Sequence, residues 1–151
     1  MENDSLHYRR AKFSARLYRD RLYTAGHAWL KREEGALWRV GFTNFAVRML
    51  GDPVEMDFEV ASGDAVDTGQ EIGWIEGLKA VSDLYAPLTG IFRGGNAALL
   101  ENLDMLRRDP FDKGWMFRIE GEPGPGCIDL DGYAAVLDVT LDRMLGNRHA
   151  H

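Results

Sequence analysis

Short β-prone segments separated by glycine-bearing turns fill most of this chain and limit the folds that it can adopt. The clearest lies at residues 54–60, where Val54, Met56, Phe58 and Val60 alternate with acidic residues, as in a half-buried strand. Similar segments bounded by glycine or proline predict further strands near residues 23–31, 36–40, 72–78, 80–85, 91–93 and 115–119. Many short strands in one chain indicate a small, mainly β sandwich or barrel-like fold.

Helical patterns occupy the two ends of the chain and one short central segment. After the glycine- and proline-rich stretch 121–126, apolar residues recur at spacings of three and four, which predicts a C-terminal amphipathic helix over residues 128–146. Its apolar stripe consists of Leu130, Tyr133, Leu137, Leu141 and Met144. Apolar residues among the arginines between positions 6 and 18 predict a short N-terminal helix. Thr43 begins a brief central helix that Gly51 ends.

The charges of the chain are unevenly distributed. The first 21 residues hold six of the 18 basic residues and three of the 24 acidic ones, so the remainder carries 12 basic against 21 acidic side chains. We therefore interpret residues 1–21 as a basic N-terminal extension and residues 22–151 as one domain that includes the C-terminal helix. An acidic body disfavours nucleic acid as a partner and suits proteins with basic surfaces.

Cysteine content and hydropathy favour a cytoplasmic protein. Cys127 is the single cysteine and cannot form an intrachain disulfide, as is typical of a reducing compartment. The sequence shows neither a secretory signal nor an apolar run long enough to span a membrane. It also lacks the spaced Cys and His residues of a structural zinc site, so we expect no metal.

Lys79 is the main candidate for a functional residue. It separates two β-prone stretches, residues 72–78 and 80–85, and is therefore expected at the tip of a tight hairpin. A covalently attached carrier arm needs such a position, because the amine must be exposed while its backbone stays rigid. Most lysines at hairpin tips are only solubilising surface charges, so this position alone does not identify a carrier.

Four ordered blocks of sequence resemble the H-protein family of the glycine cleavage system. The blocks are Thr24-Ala25-Gly26-His27-Ala28-Trp29, residues 41–52 with Gly-Phe-Thr-Asn-Phe-Ala and Leu-Gly-Asp, residues 76–90 around Lys79, and residues 96–115 ending in Asp-Pro-Phe-Asp-Lys-Gly-Trp. The resemblance implies a flattened β-sandwich of the lipoyl hammerhead, or barrel-sandwich hybrid, type.

The same resemblance implies that lipoic acid is attached to Lys79 through an amide bond. A lipoate ligase or lipoyl transferase would recognise the residues around the lysine, and other residues would line a cleft for the arm. The recognition residues are Glu76, Gly77, Leu78 and Ala80, and the possible cleft residues are His27 and Asn44. The lipoyl dithiolane supplies the chemistry, so the chain is expected to be a carrier subunit with no catalytic residues of its own.

Departures from the family pattern bear on the pathway. Gly77-Leu78 stands where the family commonly has Ser-Val, and Arg107 stands where it has Asn. Residues 41–52 and the segment from Trp74 to Asp83 resemble the H-protein-like lipoate-binding proteins of sulfur-oxidising prokaryotes. That resemblance favours a role in sulfur oxidation with a heterodisulfide-reductase-like complex. The alternative is an H protein that carries an aminomethyl group among glycine decarboxylase, aminomethyltransferase and dihydrolipoyl dehydrogenase.

The sequence is also compatible with a function of another class. The domain could act unmodified, as a protein-interaction module. Biotin attachment is disfavoured because biotinyl domains usually carry methionine on both sides of the lysine, where this chain has Leu78 and Ala80.

Cys127 could exchange with a lipoyl disulfide, although an incidental packed thiol is the simpler interpretation.

Overall fold

Turns that carry glycine or proline separate most of the short strands in residues 22–123, where the sequence predicts a mainly β fold. The structure is a computed structural model that describes residues 4–149. Its strands are β1 (Ser5–Arg10), β2 (Phe13–Tyr18), β3 (Leu22–Tyr23), β4 (Ala28–Glu34), β5 (Leu37–Phe42), β6 (Pro53–Phe58), β7 (Ala65–Val66), β8 (Glu71–Gly77), β9 (Val81–Tyr85), β10 (Leu88–Gly95) and β11 (Phe117–Pro123). Its helices are α1 (Asn44–Leu50), α2 (Ala97–Glu101), α3 (Met105–Arg108) and α4 (Leu130–His149).

Two sheets enclose the main core. The larger has the order β3-β4-β5-β11-β10-β7 and the smaller the order β6-β8-β9, with antiparallel pairing throughout. Apolar side chains from both sheets and from α1 to α3 form one buried cluster, which includes Leu30, Val40, Met56, Ile75, Leu84, Phe92, Leu99 and Ile119. This arrangement confirms the predicted flattened β-sandwich.

The C-terminal helix is also confirmed, with shifted bounds. α4 begins at Leu130, two positions after the predicted start, and its first four predicted stripe residues are buried, whereas Met144 is exposed. The central helix α1 begins after Thr43 and ends at Gly51, as expected. Within residues 4–149, no helix is both long enough and apolar enough to cross a membrane.

The predicted N-terminal helix is wrong, because this segment is a β-hairpin. β1 and β2 pair antiparallel from Ser5 opposite Tyr18 to Arg10 opposite Phe13. On β2, Phe13, Ala15 and Leu17 are buried while the residues between them are exposed, which is the two-residue period of a strand. The charged residues among them concealed this alternation in a helical interpretation of the sequence.

The hairpin and α4 together build a second buried cluster, which we call the end core. It contains Tyr8, Phe13, Ala15, Leu17, Tyr23, Trp29, Phe45, Phe111, Leu130, Tyr133, Leu137 and Leu141. The Tyr8 hydroxyl donates to Asp138 at 2.7 Å, and Arg10 pairs with Asp138 and Asp142. Part of the basic charge near the N-terminus is therefore matched by acidic residues of α4.

Arg21 fastens the hairpin to the domain. Its side chain is only 5% exposed, donates to the Phe111 carbonyl at 2.7 Å and pairs with Asp20 at 2.9 Å. The guanidinium also lies 4.9 Å from the centre of the Trp29 ring and 4.8 Å from that of Tyr18. A planar cation that stacks and donates at once is a role that lysine does not reproduce.

We therefore expect Arg21→Ala to lower the free energy of unfolding by about 2 kcal/mol, because it removes the ring contacts and leaves the Phe111 carbonyl unpaired. Arg21→Lys restores only part of this loss. Urea denaturation measures the effect, with Arg19→Ala as the matched control because, among the described residues, the Arg19 side chain makes only an exposed ion pair with Asp131. Equal denaturation midpoints for the Arg21→Ala and Arg19→Ala variants would contradict the assignment.

Candidate functional site

The hairpin formed by β8 and β9 carries Lys79 at its tip. Glu76 pairs with Val81 in the last position of the ladder, and the Ala80 carbonyl accepts a hydrogen bond from the Gly77 N–H at 2.8 Å. The turn therefore consists of Leu78, Lys79 and Ala80 alone. A turn this short leaves the backbone of the lysine little freedom.

The end of α1 holds this tip in place. The Leu78 N–H donates to the Asp52 carbonyl and the Lys79 N–H to the Leu50 carbonyl, each at 3.0 Å. Both contacts need glycine nearby. A Cβ on Gly77 would overlap the Leu50 carbonyl oxygen, and Gly51 has a φ of +78° with Lys79 Cγ 2.8 Å from where its Cβ would lie. The lysine thus starts from backbone that is anchored to a helix.

The side chain of Lys79 is exposed and available. Its Nζ lies 3.4 Å from the Arg48 carbonyl oxygen, a long and therefore weak hydrogen bond. Among residues 4–149, Lys79 makes no ion pair. Exposed apolar side chains lie on its hairpin and near the end of α1, with Leu78 exposed to 75%, Val81 to 67% and Met49 to 45%. An enzyme that modifies the amine would therefore meet an apolar rim formed by Leu78, Val81 and Met49 beside the lysine.

Two grooves flank α1 beside this tip. The first, which we call the lysine groove, has a volume of about 420 Å³ and contains Lys79 itself. The N-terminal hairpin supplies one wall and α3 contributes an arginine. Its lining is Phe13, Ser14, Asn44, Val47, Arg48, Gly51, Asp52, Leu78, Lys79, Arg107 and Pro110. Asn44 lines this groove, and among the described residues its buried Oδ1 atom has no hydrogen-bond partner.

The second groove, which we call the histidine groove, has a volume of about 250 Å³. It is mainly apolar and reaches the hairpin at Ala80, Val81 and Ser82. His27 lies in its wall with its ring 4.5 Å from that of Phe45, and burial lowers the pKa of the imidazole. At ordinary pH this groove therefore presents a neutral ring to whatever enters it.

Comparison with known proteins identifies the family. The model of the glycine cleavage H-protein family matches residues 21–125. The glycine cleavage system H protein of Edwardsiella ictaluri is 38% identical over 119 residues, which are 77% of this chain and 92% of that protein. The chain belongs to the glycine cleavage H-protein family.

Further relatives agree with this assignment. The H protein of Listeria monocytogenes serotype 4b is 38% identical over 125 residues, covering 81% of this chain and 98% of the relative. A crystal structure of the glycine cleavage system H protein from Mycobacterium marinum superposes with a TM-score of 0.72 at 32% identity, covering 79% and 97% of the two chains. These names support the glycine-cleavage alternative better than the sulfur-oxidation interpretation favoured by the motifs.

The site residues predicted from the sequence do not all lie in one place in the structure. Lys79 and its neighbours Gly77, Leu78 and Ala80 form or border the turn, and Glu76 is exposed on β8. His27 and Asn44 do not share a cleft, because one lines the histidine groove and the other the lysine groove. The lipoylation recognition roles of these residues stay predictions.

Cys127 lies away from the tip. It is half-buried and lines a third cavity of about 380 Å³. Its thiol donates to the Pro87 carbonyl at 3.5 Å, and burial raises the thiol pKa. A raised pKa lowers the fraction of reactive thiolate, which favours the packed-thiol interpretation. Within residues 4–146, whose side chains the structure describes, no group of three His, Cys, Asp or Glu side chains is placed to hold a metal ion.

Several residues of the site could not be predicted from the sequence. Phe13 and Ser14 reach the lysine groove only because the N-terminal segment is a hairpin. Tyr133 was assigned to the stripe of α4, but its hydroxyl also lies 2.8 Å from His27 Nδ1. No spacing in the sequence signals such a contact, since it joins residues 106 positions apart.

Proposed function

We propose that this chain is the lipoyl carrier of a glycine cleavage system, with the arm attached to Lys79. The observation that carries the proposal is the placement of Lys79, an exposed amine on backbone bonded to α1. The residues fit a lipoyl-lysine, because the amine faces solvent and grooves of about 420 and 250 Å³ lie on either side of its hairpin. When bound, the lipoyl group supplies a dithiolane that cycles between disulfide and dithiol and carries an intermediate.

The residues of the chain would position that arm. Leu50 and Asp52 hold the pivot through their carbonyl oxygens, so the arm swings from a fixed point. The apolar lining of the histidine groove excludes water from a group lying in it. Asn44 lines the lysine groove together with Lys79. None of these residues needs to break or form a covalent bond for this role.

The relatives support the part of the proposal that assigns the chain to a glycine cleavage system. They are named as glycine cleavage system H proteins and are covered over 92% and 98% of their length. The lipoyl arm, which stays attached to the chain, would then visit glycine decarboxylase, aminomethyltransferase and dihydrolipoyl dehydrogenase in turn. Their docking faces would meet the apolar rim of Leu78, Val81 and Met49.

A reconstituted exchange assay tests the pathway. The lipoylated chain is mixed with glycine decarboxylase, and glycine-dependent incorporation of labelled bicarbonate is measured. We expect exchange that rises with the amount of lipoylated chain and is absent with unmodified protein. The H protein of Edwardsiella ictaluri serves as the positive control. Exchange with that control but none with the lipoylated chain would overturn the glycine-cleavage role.

A second candidate is a carrier of sulfur adducts for a heterodisulfide-reductase-like complex. One observation favours it: Arg48 and Arg107 line the lysine groove, and Arg48 makes no ion pair among residues 4–149. Once lipoylation removes the charge of Lys79, a cation remains beside the arm, and it would attract an anionic adduct. Transfer of labelled sulfane sulfur to the arm, together with a negative exchange assay, would favour this candidate.

A further inference from the structure

A hydrogen-bond chain leads from α4, beyond the residues 21–125 that match the family model, to His27 in the wall of the histidine groove. Tyr133 of α4 is fully buried, and its ring stacks on Tyr23 at 4.8 Å. Its hydroxyl lies 2.8 Å from His27 Nδ1 and 2.7 Å from Thr43 Oγ1. The last helix of the chain therefore reaches the wall of the groove beside the lysine hairpin.

The direction of the protons follows from Thr43. Its side chain is 1% exposed, does not cap α1 and, among residues 4–149, finds only the Tyr133 oxygen as a partner. A buried hydroxyl that donates to nothing is costly. Thr43 therefore donates to Tyr133, which leaves the Tyr133 hydroxyl to donate to His27 Nδ1.

The state of the imidazole follows in turn. Burial raises the pKa of Tyr133 far above its ordinary value, so its proton stays in place. Burial also lowers the pKa of His27, which favours the neutral ring. A neutral imidazole whose Nδ1 accepts carries its hydrogen on Nε2. Among the described residues Nε2 has no partner, and the other residues lining this groove are not ionisable.

We propose that Tyr133 is a positioning residue that holds His27 as the neutral Nε2–H tautomer, so that the groove offers a hydrogen-bond donor to the lipoyl arm. The acceptor would be the amide oxygen or a thiolate sulfur of the arm. This inference rests on the proposed carrier function. It assigns His27 the role of a donor rather than that of a base that removes protons.

The tautomer is measured directly by long-range proton–nitrogen NMR of ¹⁵N-labelled protein at neutral pH, on both the unmodified and the lipoylated chain. His27→Asn assigns the resonances, since asparagine tolerates the positive φ of 70° at this position. We expect an unprotonated Nδ1 and a protonated Nε2 in the wild-type chain. In Tyr133→Phe the ratio of the Nε2–H to the Nδ1–H tautomer should fall about fivefold, the effect of one lost hydrogen bond.

Tyr23→Phe is the matched control, because it removes an equally buried hydroxyl that bonds to Tyr18 and not to His27. It should leave the tautomer ratio unchanged. Lipoylation should shift the Nε2–H resonance in the wild-type chain and less in Tyr133→Phe. A protonated Nδ1 in wild type, or an Nε2–H resonance that lipoylation leaves in place, would overturn the inference. Because the tautomer is also read on unmodified protein, a failure of lipoylation at Lys79, seen by intact mass, remains a separate result.

Discussion

Lys79→Arg protein expressed with lipoate and a lipoate ligase is expected to keep its unmodified mass, whereas the wild-type chain gains one lipoyl group. Arginine preserves the positive charge and the length of the side chain, but its guanidinium stays protonated and does not form the amide. Since Lys79 is exposed and makes one weak bond to Arg48, the stability of the variant should match that of the wild type. Intact-mass spectrometry measures the modification, and urea denaturation measures the stability.

Lys113→Arg is the matched control, because Lys113 is also exposed but lies far from the hairpin in sequence and is absent from the lining of both grooves. This variant should be lipoylated as fully as the wild type. A lipoyl mass on Lys79→Arg would show that another amine takes the group and would refute the site. An unmodified mass for the wild-type chain would instead support the interaction-module alternative.

Gly77→Ala should disturb both stability and modification. The added Cβ would overlap the Leu50 carbonyl oxygen and lie 2.6 Å from Leu50 Cγ, so the hairpin tip must move away from α1. That movement breaks the hydrogen bonds that Leu78 and Lys79 donate to the helix end. We expect a loss of about 2–4 kcal/mol in the free energy of unfolding, together with slower lipoylation of Lys79.

Gly126→Ala is the comparison for this variant. A Cβ at Gly126 would meet no atom within 4 Å, so the same substitution should change the urea midpoint little there. Lipoylation is followed over time by intact mass for both variants. If Gly77→Ala unfolds at the wild-type midpoint and is modified at the wild-type rate, the anchored pivot is not what presents the lysine.

The central part of the fold could be predicted from sequence because its signals are local. Alternation and glycine turns marked the strands around the lysine, and Gly51 marked the end of α1. Departures arose where a neighbour changed the local geometry. Val54 was assigned to the buried face of its strand but is exposed, because the ladder between β6 and β8 is irregular between Pro53 and Glu55 and a bulge reverses which face a residue occupies.

The candidate site was predicted only in part. The lysine could be placed because it lies between two strands that are adjacent in sequence. The grooves could not, since their walls come from segments distant in sequence, with Phe13 and Arg107 both lining the lysine groove. The contact between His27 and Tyr133 is equally non-local. The sulfur-oxidation interpretation came from two short motifs, residues 41–52 and 74–83, which carry less information than the match over residues 21–125.

The end core has a consequence for how the chain matures. Its first members, Tyr8, Phe13 and Leu17, leave the ribosome early, whereas their partners Leu137 and Leu141 are made more than a hundred positions later. Until then the apolar side of the first hairpin is covered only in part, by residues such as Phe45 and Phe111, and exposed apolar strands are prone to aggregation. The end core is therefore completed only when α4 packs on the hairpin. Chaperones that bind nascent chains would be needed most in the interval before it.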